Sequence, residues 1–196
     1  MFSTLYHLDK LHILDKTEEV IREMIRTCTG IKEEDFFKPK DKLSACDHLN
    51  HLEAAFAESW SKIFSPKLIL RWKYGRPKHE SFSYEQMEET CQHLKNEETQ
   101  DRLQQLFLDK NKKKKDLTRE ARINEFIYHT ERYLNEIRFY WEDDQMDSYQ
   151  APHDLLGMIT VREWMYYTII LSWSQLNKVR KIKEEVRNNH IAASNS

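Results

Sequence analysis

Glycine and proline are scarce in this chain, three and four among 196 residues. So little turn chemistry excludes a turn-rich β fold and leaves no glycine-rich loop to cradle phosphates. Cysteine is equally rare. Cys28, Cys46 and Cys91 are odd in number, widely spaced and form no Cys-x-x-Cys pair, so neither a disulfide framework nor a zinc knuckle is implied. No apolar run approaches the roughly 18 residues needed to span a bilayer, and the N-terminus lacks the apolar stretch and cleavage site of a secretory signal. Nor does one sign of charge dominate: 31 Lys and Arg face 33 Asp and Glu. A net charge of −2 gives no electrostatic case for nucleic acid. The expectation is a soluble, cytoplasmic protein that engages neither membrane nor nucleic acid.

What the chain does have is charge and aromatic bulk. Charged residues at 33% beside hydrophobic residues at 39% suit helices that each show one face to water. A mean hydropathy of −0.83 would by itself suit disorder. Five Trp, nine Tyr and nine Phe argue otherwise, because they can fill a core. The length fits one domain, expected over residues 1–190, with a flexible tail at 191–196.

Apolar residues recur at helical spacing in four long stretches. The first runs over residues 4–28, with Leu5, Leu8, Leu11 or His12, Val20, Ile21, Met24 and Ile25 inward and Gly30 as a left-handed cap. The second starts at Ser44, with Asp47 as capping partner, and ends before Pro66. Its inward stripe is Ala45, His48, Leu49, Leu52, Ala55, Phe56, Trp60 and Ile63. A third runs from Asp116 or Thr118 to Trp141, followed by an acidic loop over 142–154. The fourth opens on a Thr160–Glu163 capping box and carries Val161, Trp164, Met165, Thr168, Leu171, Gln175, Leu176 and Val179 inward as far as Lys183. Tyr166 and Trp173 fall off that stripe, and exposed aromatics there would suit a homodimer.

Residues 66–116 are less regular. Arg71-Trp72-Lys73-Tyr74-Gly75-Arg76 alternates basic and aromatic residues and reads as a solvated loop with its rings packed down. A grip on a strand of nucleic acid or an anionic ligand is the sharper alternative. Residues 84–108 suggest one or two polar helices anchored by Met87, Cys91, Leu94, Leu103, Leu106 and Phe107. Lys110–Lys115 is a solvated charge run. The fold expected is all-α, an up-and-down four-helix bundle with additional short helices.

Two segments carry a resemblance. Leu155-Leu-Gly-Met-Ile-Thr-Val-Arg-Glu-Trp164, leading into a long amphipathic helix, and Ser44-Ala-Cys-Asp-His-Leu-Asn-His-Leu-Glu-Ala-Ala-Phe56 are similar to the last and second helices of the DinB/YfiT-like superfamily. Metal-holding members of that superfamily use three His, one on the second helix and two in a His-x-x-x-His on the last. Characterised relatives include metal-dependent thiol S-transferases. The resemblance places His51 at the first ligand position, with His48 one turn earlier on nearly the same face. The other two positions fall at Leu171 and Gln175. Leucine cannot coordinate, and an amide oxygen is a poor ligand for Zn, Ni or Fe.

The family site is therefore expected to be lost and no cofactor is expected. His129, with Glu53 or Glu163, is the substitute that could complete an improvised site with His48. A pocket lined by His48, His51, Trp164, Thr168, Leu171 and Gln175 could instead hold a small molecule. The bland alternative makes the two histidines semi-buried residues hydrogen-bonded to Tyr or Gln on a facing helix. No Gly-x-Ser-x-Gly, His-Glu-x-x-His or Glu-x-x-His occurs, so neither the common hydrolase signatures nor a di-iron bundle is supported. A divergent metal-dependent transferase or hydrolase and a helical interaction module are the competing functional classes.

Overall fold

In the computed structural model, which describes residues 7–40, 43–93 and 117–194, helices dominate and a single two-stranded antiparallel sheet is added. In chain order the helices are α1 (Lys10–Thr29), α2 (Glu33–Phe36), α3 (Ala45–Ile63), α4 (Lys67–Tyr74), α5 (Tyr84–His93), α6 (Arg119–Tyr140) and α7 (Val161–Ser194). Strands β1 (Gln150–His153) and β2 (Gly157–Thr160) form a hairpin between α6 and α7. Helices α1 and α3 each pack against both α6 and α7, while α5 covers α7 from a further side.

Local chemistry sets the helix starts. Asp9 accepts from the His12 backbone N–H at 2.9 Å. Ser44 and Asp47 form the reciprocal box expected for the second long helix. Thr118 caps α6 through the Ala121 N–H. Thr160 and Glu163 cap each other at 2.6 and 3.2 Å, as the sequence indicated for the last helix. The inward stripe of α3 is buried except for the half-buried Trp60, and Phe36 and Phe37 fold back onto the core in an edge-on pair.

Several expectations are corrected. The first helix begins at Lys10, not residue 4, so its buried face is Ile13, Leu14, Val20, Ile21 and Met24, and Leu11 lies 68% exposed. Gly30 is not left-handed (φ −81°), and a side chain there would meet only the tip of the flexible Lys183 side chain at under 3 Å. Arg71–Tyr74 are helical rather than a loop, and Trp72 is 85% exposed rather than packed down. Gly75, in the left-handed region at φ +70°, then ends α4.

The acidic loop after α6 contains a short 3₁₀ turn (Asp143–Gln145) and β1, which pairs Gln150 with Thr160 and His153 with Gly157. Gly157, at φ +73°, lets the chain reverse there. The last helix does not stop near Lys183 but continues to Ser194, through most of the span expected as a tail. Tyr166 is fully buried rather than exposed. The periodic stripe fails there because α1, α3, α5 and the hairpin together enclose the first three turns of α7. The Tyr166 ring packs edge-on against Tyr84 of α5, and its hydroxyl meets the Leu8 backbone. Leu5, Leu94, Leu103, Leu106, Phe107 and the Lys110–Lys115 run lie outside the described residues.

Candidate functional site

Helices α3 and α7 run antiparallel. His48 near the start of α3 faces Gln175, while Ser59 near its end shares the Tyr133 hydroxyl with Thr168, earlier on α7. The His48 Nδ1 donates to the Gln175 side-chain oxygen over 2.7 Å, and both side chains are buried. Burial pulls the His48 imidazole below its usual pKa, although the Gln175 bond opposes that shift. His51, one turn along α3, is lowered to about 4 by burial, with the Lys178 ammonium and His48 adding to the effect. Neutral imidazole is the form a metal would need, but the partner provided at Gln175 is an amide already committed to His48.

The other proposed lining residues of this site are equally committed. Trp164 is fully buried and donates to the Ala151 carbonyl, and Thr168 donates to the Met165 carbonyl. Leu171 packs half-buried against the core. Glu163 spends one oxygen on its own cap and the other on the Phe82 N–H. His129 does not reach His48: it sits 43% exposed on the α6 side of α3, with its Nε2 3.2 Å from Glu53 Oε1.

That α6 side brings His129 to Glu53, as one reading of the sequence had it, and adds Glu125 and Arg122, which the sequence reading missed. Residues 122, 125 and 129 fall on one face of α6 at helical spacing, opposite Asn50 and Glu53 of α3. Arg122 is buried, and its guanidinium donates to Asn50 Oδ1 at 2.5 Å, to Glu125 Oε2 at 2.8 Å and to Glu53 Oε2. Oxygens of Glu53 and Glu125 and a ring nitrogen of His129 all lie within 4.8 Å of one another. The available signal was Glu125-x-x-x-His129, four residues apart on one helical face. Beside this group a cavity of about 190 Å³ is lined by Phe56, Ala57, Trp60 and Tyr133, with Glu53, His129 and Arg132 at its polar side. The Arg132 guanidinium stands 4.6 Å from the centre of the Trp60 ring.

A second buried cation ties the molecule together at the start of α7. Arg162 donates to both carboxylate oxygens of Asp147, to Asp143 and to the Leu8 carbonyl. These bonds, together with the Asp147 and Asp143 charges, outweigh burial and hold its pKa above the ordinary arginine value. Asp147 shifts the other way, because Arg162 and Ser81 favour its carboxylate form over the cost of burial. Nearby, His153 Nδ1 accepts from the Leu155 and Leu156 N–H groups, both at 3.2 Å, and its ring packs between Trp164 and Tyr167. Burial lowers it to about 4.

Nucleophilic sulfur has little support at two of the three cysteines. Burial raises Cys28 to about 12 and Cys46 to about 11, which keeps both as thiols. Two larger concavities lie elsewhere, one of about 430 Å³ between α1 and α6 and one of about 570 Å³ beside Arg71, Arg76 and Asp147. No helix among the described residues is long and apolar enough to cross a membrane. No protein-family model matches the chain, and neither a curated protein nor a solved structure does.

Proposed function

We propose that the chain is a four-helix bundle of the DinB/YfiT-like kind, with α1, α3, α6 and α7 as its long helices, in which a hydrogen bond has replaced the superfamily's three-imidazole metal site. It works as a binding protein for a small molecule and not as a metal-dependent thiol transferase. The observation that carries the loss of the metal site is the buried His48–Gln175 bond of 2.7 Å. It joins the two helices that would otherwise be bridged by an ion, with Leu171 one turn away on α7 offering no donor.

The proposal makes the frame testable by restoring the missing ligands. Leu171 lies one turn before Gln175 on α7, as His51 lies one turn after His48 on the antiparallel α3, so Leu171→His with Gln175→His sets imidazoles on both helices. This double variant is expected to take up one more nickel or zinc ion per chain than wild type, measured by dialysis and elemental analysis. That gain is expected to disappear when His51→Ala is added. No gain over wild type would remove the proposed frame, and His51-dependent uptake by the wild-type protein would remove the proposed loss of the site.

A helical interaction module is the second reading, favoured by α4. Leu68 and Trp72, one turn apart, are 82% and 85% exposed, and Ile69 beside them is half exposed. The partner proposed is a second copy of the chain, seated on this face rather than on the buried Tyr166. Light scattering coupled to gel filtration is expected to report a dimer that Trp72→Glu converts to monomer. A wild-type monomer at high concentration would end this reading.

A further inference from the structure

We infer that Glu53, Glu125 and His129 form a binding site for a divalent transition-metal ion of the zinc type, on the α3–α6 side and separate from His48 and His51. Three features on different elements support it. The first is ligand geometry. Glu53 Oε1 and His129 Nε2 are 3.2 Å apart, the separation of two donors that share one small ion, and a Glu125 oxygen lies within the same 4.8 Å cluster.

The second is positioning. Arg122 engages Oε2 of both carboxylates and is itself fixed by Asn50, while the other oxygen of Glu53, Oε1, is the one beside His129. A buried hydrogen-bond donor that orients ligating carboxylates is what a metal's outer shell requires.

The third is access. Glu53 and His129 also line the 190 Å³ cavity floored by Phe56, Trp60 and Tyr133, so positions left open on the ion face a partly apolar recess. Two oxygens and one imidazole nitrogen are a borderline donor set, suited to zinc and compatible with manganese or nickel. Three protein ligands with an open side would also let the ion hold a water or the polar end of a small molecule.

The experiment is zinc titration of the full chain, followed by calorimetry and by equilibrium dialysis. Wild type is expected to bind about one zinc per chain. His129→Ala, at an exposed position, and Glu125→Gln, at a half-buried one that leaves Arg122 its bonds to Glu53 and Asn50, are each expected to weaken that binding by about tenfold or more while circular dichroism stays unchanged. His51→Ala is expected to leave it intact. The inference is overturned if wild type binds no zinc, or if binding survives both His129→Ala and Glu125→Gln. Loss of binding in His51→Ala alone would also overturn it and would count instead against the proposed loss of the family site.

Discussion

Arg122→Ala is expected to destabilise the protein by about 3–5 kcal/mol, the cost of leaving a buried ion-pair partner without its counter-charge. The side chain is 1% exposed, and Glu53, which would lose this guanidinium, is only 13% exposed. Asn50, also buried, would lose its partner as well. Urea unfolding followed by circular dichroism measures the loss. The decisive comparison is with Arg122→Met combined with Glu53→Leu. Removing both charges removes the carboxylate that lost its guanidinium, so the pair is expected to recover most of the stability that Arg122→Ala loses. A double variant no more stable than the single one would mean that Arg122 contributes through packing and not through charge.

Acid should destabilise the fold well above the carboxylate range. His51 and His153 are lowered to about 4 against an unfolded value near 6.5, and His48 is lowered too. Between those limits the unfolded chain binds protons that the folded chain refuses, so stability is full above about pH 6.5 and is lost as pH falls towards about 4. Each unit of pKa corresponds to about 1.4 kcal/mol, so about 3 kcal/mol is the ceiling for each of His51 and His153.

Burial is the main cause at His153, and its hydrogen bonds act in the same direction. Its Nδ1 already accepts two backbone N–H groups of the hairpin turn, and a proton arriving there would displace both. At His51 burial is the main cause, with the Lys178 ammonium and His48 adding to it. Asp147, held below its ordinary value, adds an acid-labile contribution of the same sign at still lower pH. Unfolding free energies measured from pH 7.5 to 4.5 are expected to fall steeply for wild type and less steeply for His153→Gln. A flat profile across that range would show that neither imidazole is held neutral by folding.

How much of this was readable in advance follows from the range of the interactions involved. Both capping boxes, Ser44–Asp47 and Thr160–Glu163, were legible because a cap is a contact between residues three apart. So were the α3 stripe and the α6 boundaries, since a helix writes its buried face into its own period. The hairpin was missed because its strands are four residues long and β1 contains a proline, giving no alternation to detect.

Burial of Tyr166, Arg122 and Arg162 was likewise hidden, and for one reason. A helical wheel has one inside only when a helix has neighbours on one side. The first turns of α7 are enclosed on several sides, and an arginine enters the interior when distant carboxylates and carbonyls meet it. By itself, then, the sequence determined the helical class, the principal long helices and where most of them begin, because those depend on neighbours within about one turn. A His48 bond to Gln on a facing helix and a His129–Glu53 pairing were among the alternatives the sequence offered, but tertiary structure decided between them, kept His129 away from His48 and set Arg122 between two glutamates. Those pairings join residues far apart in the chain, and only packing brings them within hydrogen-bond reach.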